Sequence, residues 1–189
     1  MHMHLEIEAK IKVENLEFYA ERLKKLGGQF EHQCAQRDYF FDYPDRRLLR
    51  ADCGLRLRQQ IIGEGEQIML CYKGPREAAS AYKRRQEIEL AVASLAGGRG
   101  LLEALGFEVT IAFEKRRSQW RLDDCIVCLD QVVELGFFIE IEGPAEEAVA
   151  GVQGRLQLQD GSHLGDSYAV LLAEHLQKTN RPQSWELFF

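Results

Sequence analysis

Apolar and charged residues alternate with a period of two along much of the chain, the mark of β-strands whose two faces meet different surroundings. Leu5, Ile7, Ala9, Ile11 and Val13 fall on one face of the first such segment, and Glu6, Glu8, Lys10 and Lys12 on the other. The alternation recurs over Leu55–Arg58, Arg85–Leu90 and Phe138–Glu142. It predicts further strands near Arg37–Tyr43, Gln67–Lys73, Phe107–Arg117, Gln119–Asp123 and Ile126–Val133. Helical spacing interrupts these strands. Asn15 is placed to cap a helix over Leu16–Leu26, where Leu16, Tyr19, Ala20, Leu23 and Leu26 form one apolar stripe and Gly27-Gly28 ends it. Ser94 opens a second helix carrying Leu95, Leu101, Leu102 and Leu105 and closed by Gly106, although Gly97, Gly98 and Gly100 weaken its first half. Two more are predicted over Ala145–Leu158 and Ser167–Lys178.

Roughly eight or nine mostly antiparallel strands with helices between and after them make an α+β fold. No linker, low-complexity stretch or fixed-period repeat divides the sequence, so the expectation is one domain over residues 1–189. The sheet either stays open or closes into an antiparallel β-barrel, and that choice decides where the charged faces go. An open sheet would leave them in water, as antiparallel sheets often do. Four features favour a charged interior. The charges come as like pairs at i, i+2: Glu6/Glu8, Arg56/Arg58, Glu87/Glu89, Lys115/Arg117 and Glu140/Glu142. Side chains so spaced lie roughly 7 Å apart on one face, where like charges repel unless a ligand is to be held. Cationic and acidic pairs also sit on different strands, so a closed face would set a cationic patch beside a carboxylate patch. The opposite faces are apolar and need the amphipathic helices packed outside as cover. Finally, seven cations (Lys10, Arg56, Arg58, Lys73, Arg85, Lys115, Arg117) nearly balance six carboxylates (Glu6, Glu8, Glu87, Glu89, Glu140, Glu142). Such an interior would pair internally when empty. With Mg²⁺ or Mn²⁺ on the carboxylates it would attract a highly anionic guest such as a nucleotide or inorganic triphosphate.

Composition narrows the partners. A net charge of −6 disfavours a broad nucleic-acid surface, and no apolar run reaches the roughly 18 residues a membrane span needs. Charges from Glu6 onward argue against a signal peptide. Cys34, Cys53, Cys71, Cys125 and Cys128 are odd in number and lack a disulfide spacing, which suggests a reducing cytoplasm. Cys125 and Cys128 form a CxxC, but on a strand they point to opposite faces, which suits buried cysteines better than zinc or redox chemistry. His2 and His4 read as a frayed terminus. The apolar run Trp185–Phe189 either closes a tunnel mouth or packs against the chain or a partner subunit, so the protein is expected as a monomer or homodimer.

Taken together these residues resemble the CYTH family of triphosphate tunnel metalloenzymes, which includes class IV adenylate cyclases, thiamine triphosphatases and inorganic triphosphatases. Glu6-Ile7-Glu8-Ala9-Lys10 is similar to the family's ExExK. Asp38–Asp42 followed by Leu55-Arg56-Leu57-Arg58 resembles its aromatic-Asp and RxR segments, and Tyr72-Lys73-Gly74-Pro75 its YKGP. Arg85-Gln86-Glu87-Ile88-Glu89 resembles RxExE, Lys115-Arg116-Arg117 resembles KxR, and Asp130 with Leu135–Glu142 resembles the late acidic block. Asp166-Ser167-Tyr168 opens the last helix in a family-like way.

The resemblance implies a metal held by Glu6, Glu8, Glu140 and Glu142, and phosphates held by Lys10, Arg56, Arg58, Lys73, Arg85, Lys115 and Arg117. It makes Glu87 and Glu89 a supporting network, open to a second metal. Arg85 belongs either with them or in a plain cross-strand ion pair. Glu6, Glu8, Lys10, Lys73 and Asp130 would be the catalytic set. It implies a cyclase converting ATP to cyclic AMP and pyrophosphate, most like the class IV branch. The alternative is a triphosphatase acting on inorganic, thiamine or nucleoside triphosphate, and a non-catalytic polyphosphate-binding module ranks behind both.

Overall fold

In the computed structural model, which describes residues 2–77, 82–159, 161–179 and 186–189, the alternating segments become eight long strands. These are β1 (His2–Val13), β2 (Gln29–Asp42), β3 (Gly54–Ile62), β4 (Gly65–Lys73), β5 (Lys83–Val92), β6 (Glu108–Leu122), β7 (Cys125–Val132) and β8 (Gly136–Glu142). The helices are α1 (Leu16–Lys25), α2 (Arg47–Arg50), α3 (Leu95–Ala104), α4 (Glu146–Leu156) and α5 (Tyr168–Lys178), and a short β9 (Glu186–Leu187) follows. The strand order is β2-β3-β4-β5-β1-β8-β7-β6, and β2 pairs again with β6, so the sheet closes into a barrel. Every pairing around the ring is antiparallel.

Closure needs two long strands, and here the pattern alone underestimates them. β2 starts at Gln29, well before Arg37, because β6 pairs it from Arg121 down to Glu108. The segment Gln29–Gln36 lacks clean alternation, so only the partner strand defines it. The two segments expected at Phe107–Arg117 and Gln119–Asp123 are one continuous β6. Register shifts between Phe30 and His32 and between Phe40 and Phe41 bend this pair, as bulges do. β1 begins at His2, so the amino-terminal segment is paired rather than frayed.

Period two sends alternate side chains in and out. Outward on one side, Ile7, Ala9 and Ile11 of β1 join Val127, Leu129, Ile139 and Ile141, and are covered by Leu23 of α1 and by Val149, Val152 and Leu156 of α4. On another side Leu55, Leu57, Tyr39 and Phe41 pack under Leu102 of α3. The expected caps form: Asn15 accepts from the amides of Glu17 and Phe18, Ser94 from Gly97, and Ser167 from Val170. Cys125 belongs to the outer core while Cys128 lines the interior, so the CxxC does split between faces.

α5 behaves differently from the other helices. Ile111, Phe113, Val132 and Phe138 share strand faces with Lys115, Asp130 and Glu140, so they are the apolar end of the interior. α5 lays Tyr168, Ala169, Leu172 and Leu176 onto them. It therefore stops one end of the barrel instead of covering its outside. The carboxy-terminal run packs within the chain: β9 runs parallel to β6 at Ala112–Phe113, beyond the point where β7 ends, and Phe188 lies 6.4 Å from the Tyr39 ring. Trp185 lies outside the described residues.

Leu172 is fully buried at this stop, whereas Leu101 on α3 is 62% exposed. Leu172→Ala is expected to cost about 2–5 kcal/mol in urea unfolding, with Leu101→Ala nearly neutral. Equal costs would contradict the assignment of α5 as the interior stop.

Candidate active site

The inward faces line a cavity of about 960 Å³. It gathers Glu6, Glu8, Lys10, Arg56, Arg58, Lys73, Arg85, Glu87, Glu89, Lys115, Arg117, Glu140 and Glu142 from six strands. Asp130 stands directly behind it, fully buried. All of the residues singled out from the sequence are thus brought together.

Two carboxylates anchor the cationic side. Arg58 Nε and Nη2 donate to Asp38 Oδ1 and Oδ2 at 2.6 and 2.7 Å, and Arg56 Nη1 lies 3.9 Å from Asp38 Oδ2. Arg117 grips Asp130 with the same fork at 2.7 and 2.6 Å, while Lys115 Nζ donates at 3.0 Å and the Tyr168 hydroxyl at 3.0 Å. Arg117 also reaches Glu140. Such bidentate contacts fix the planar guanidinium groups in space. Burial by itself would raise both aspartates, but the arginines beside them prevail and hold each carboxyl below the usual range. Lys115 goes the other way: burial, reinforced by Arg117, pushes its ammonium down to about 8 in spite of Asp130.

The acidic side lies where β1 is flanked by β5 and β8. The register sets Glu8 opposite Glu142 and Lys10 opposite Glu140. Lys73 Nζ sits 2.5 Å from Glu6 and 3.3 Å from Glu87, and these carboxylates, with Glu8, keep it charged despite its burial. The crowding shows at Glu142. Burial first, then Glu6, push its carboxyl up to about 7 against the pull of Lys73, with Glu8 and Glu87 adding to the rise. One more positive charge would relieve this group of oxygen ligands, which is the donor set that hard divalent cations prefer. A second grouping, Cys71, Glu87 and Glu89, places its potential ligand atoms within 4.8 Å of one another.

The arrangement also leaves donors for an anion. Arg56 Nε and Arg85 Nε are buried with no hydrogen-bond partner. Arg85 is not simply paired across the strand with Glu6: its nearest ion-pair partner is Asp52, at 3.8 Å.

The CYTH domain family model matches residues 4–168. The chain belongs to the CYTH family. Among its relatives, a Methanocaldococcus jannaschii protein provisionally named an adenylate cyclase is 32% identical over 138 residues, covering 73% of this chain and 76% of that protein. A thiamine-triphosphatase of Macaca fascicularis is 32% identical over 118 residues, covering 54% of this chain but 48% of that enzyme. Among solved CYTH-like structures, the PH1819 protein of Pyrococcus horikoshii superposes with a TM-score of 0.79 at 28% identity, covering 89% of this chain and 98% of that one.

Several residues of this CYTH barrel escaped the sequence reading as site members. Asp38 was visible only as part of a motif, yet it orients both RxR arginines. Tyr168 enters from α5 to bond Asp130, and its ring lies 4.3 Å from Lys10 Nζ and 5.0 Å from Lys115 Nζ. Nothing in strand alternation could place a helix residue inside the barrel. Arg76 ties Asp52, Asp166 and the Gly165 carbonyl across the mouth, a contact among three loops.

Because the Glu142 carboxyl lies above its ordinary 4.5 when folded, the native state binds more protons between about 4.5 and 7. This group's contribution to stability therefore falls as pH rises through that window. In the metal-free protein, Glu142→Gln is expected to be more stable than wild type by about 1–3 kcal/mol at pH 8 and by little at pH 4.5. Urea midpoints with EDTA across that range would show it. Parallel pH dependences in the two proteins would remove Glu142 as the crowded carboxyl.

Proposed function

We propose that this protein is one CYTH domain over residues 1–189, a metal-dependent enzyme that binds a triphosphate inside the barrel and turns ATP into cyclic AMP and pyrophosphate. The observation that carries the reading is the juxtaposition of arginines clamped by Asp38 and Asp130 with a buried cluster of carboxylates, in which burial first and then Glu6 push Glu142 up to about 7. Similarity to the archaeal relative over most of both chains supports ranking the cyclase first.

Glu6, Glu8, Glu140 and Glu142 are the residues that would hold Mg²⁺ or Mn²⁺. Bound there, the ion would supply charge neutralisation at phosphoryl oxygens and acidification of the attacking hydroxyl. Lys10, Arg56, Arg58, Lys73, Arg85, Lys115 and Arg117 bind the phosphates, and Glu87 and Glu89 hold Lys73 and its neighbours in place. Lys73 and Asp130, both charged near neutrality, act electrostatically and do not exchange protons. In the cyclase the ribose 3′-oxygen bonds to the α-phosphorus, the bond to the bridging oxygen breaks, pyrophosphate departs and the hydroxyl proton passes to solvent. The residues contribute position and charge, with no covalent nucleophile.

A triphosphatase is the second reading, favoured by similarity to the thiamine-triphosphatase. The five free thiols suit a reducing cytoplasm. Among the described residues no helix is long and apolar enough to cross a membrane, and the acidic balance speaks against nucleic acid as a partner.

Incubating the protein with ATP, thiamine triphosphate or tripolyphosphate, each with Mg²⁺, Mn²⁺ or EDTA, tests this directly. Cyclic AMP and pyrophosphate are expected with metal and nothing with EDTA. Orthophosphate without cyclic AMP would select the triphosphatase. Metal-independent binding without turnover would leave only a binding module. Glu8→Gln is expected to lower kcat at least about 100-fold while the protein stays folded.

Lys115 supplies a pH signature. Protonated below about 8 in the free enzyme, it favours the anionic substrate there, so kcat/KM is expected to fall as pH rises through about 8. Lys115→Arg keeps the charge and should move that fall to higher pH, whatever it does to the absolute rate. An unmoved alkaline limb would assign it to another group.

A further inference from the structure

α5 begins inside the charged part of the barrel. Ser167 caps it by accepting from the Val170 amide, so Tyr168 stands at its first position, almost fully buried. The segment before the cap is stitched to β1: the Leu164 amide donates to the Lys10 carbonyl at 2.8 Å, and Lys10 Nζ donates to the Asp166 carbonyl at 3.0 Å. The Tyr168 hydroxyl is tied to β7 through Asp130, and its ring packs edge-on against Phe138 of β8. A tyrosine held by its helix cap, its hydroxyl and its ring edge has a fixed ring plane.

That ring meets two cations from distant strands. Lys10 belongs to β1 and Lys115 to β6, which the strand order separates by β8 and β7, roughly 14 Å along the sheet. Their ammonium groups nevertheless lie 4.3 and 5.0 Å from the centre of the one Tyr168 ring, within the range at which a π face attracts a cation. Each lysine also has a carboxylate on the neighbouring strand, Glu140 at 3.4 Å from Lys10 and Asp130 at 3.0 Å from Lys115. Those pairs would hold the two like charges apart, whereas the ring draws both to one place. The hydroxyl reinforces it. Burial first, then Asp130, keep the phenol protonated, and donation to a carboxylate polarises the ring toward more negative charge.

We propose that Tyr168 is a positioning residue for the reaction: its ring sets where the Lys10 and Lys115 ammonium groups stand relative to each other, and so how the two cations together meet the phosphoryl oxygens. This rests on the reading of the cavity as a triphosphate site. Without the ring both lysines remain in the cavity and charged, so attraction of the ground-state triphosphate survives. What is lost is their alignment on the charge that develops as a phosphoryl bond breaks.

The test is steady-state kinetics of wild type, Tyr168→Phe, Tyr168→Met and Tyr168→Leu with whichever of ATP, thiamine triphosphate and tripolyphosphate the wild type turns over best in Mg²⁺, with circular dichroism melts to identify the folded variants. Met and Leu both fill the space without a π face, so either one, if folded, decides the matter. The expected result for them is a kcat lowered about 10–100-fold with KM changed less than about threefold. Tyr168→Phe, which keeps the ring and loses only its hydroxyl, is expected to recover kcat to within about threefold of wild type. A kcat that the ring-less variants leave unchanged, a loss that falls on KM alone, or a Phe variant as slow as Met or Leu would each overturn the positioning role while leaving the triphosphate reading standing. A folded wild type that turns over none of the three compounds would sink the enzymatic reading, and this inference with it.

Discussion

Pairing β2 with β6 turns one face of every strand away from bulk water, and the remaining structure answers to that enclosure. Ionisable groups inside a barrel are costly unless paired. The chain meets this with forks and networks: Asp38 under Arg56 and Arg58, Asp130 under Lys115, Arg117 and Tyr168, and Lys73 between Glu6 and Glu87. Replacing one member of such a set by an apolar residue leaves the others buried and uncompensated, so the interior tolerates loss of a partner far less than a solvated sheet would.

Enclosure inverts the usual distribution of apolar residues as well. With charge inside, the outward faces of the strands must be covered, and α1, α3 and α4 do so with Leu23, Leu102 and Val149. One end of the interior is apolar and takes α5 as its stop. Tyr168 joins the two regimes: its ring packs edge-on against Phe138 at 5.0 Å while its hydroxyl donates to Asp130. The stop on the barrel and the geometry of the Asp130 clamp are therefore mechanically linked, and a shift of α5 would be felt at Lys115 and Arg117.

This division explains what the sequence disclosed. Alternation at Glu6/Glu8, Arg56/Arg58, Glu87/Glu89 and Glu140/Glu142 is a local property, and it located the inner face of four strands from residues two apart. Closure is not local. The irregular half of β2, Gln29–Gln36, is a strand because β6 lies beside it, and α2 is a single turn held by Asp42 rather than by any periodicity. Tyr168 carried the right motif, but its entry into the barrel depends on where α5 docks. Sequence alone could name the cations and carboxylates of the site, while their partners across the barrel came only with the fold.

The same distinction bears on chemistry. Under the proposed function, cyclisation and hydrolysis of a triphosphate would ask the same of Arg58, Arg117 and Lys115, because in either reaction negative charge would develop on phosphoryl oxygens that these groups would face. They part over which oxygen attacks, and a ribose hydroxyl can attack the α-phosphorus only if the nucleoside is held bent over its own triphosphate. The clamped interior is equally good for both. Under that proposal, selection between them would fall to the mouth, where Arg76 bridges Asp52 and Asp166 and residues of α2 and α5 line the same cavity. A barrel of this kind could keep its charged strands unchanged and alter its reaction by remodelling the short loop between β2 and β3, since the Asp38 and Asp130 clamps lie outside that loop, whose own ion pairs join Asp52 to Arg76 and Arg85.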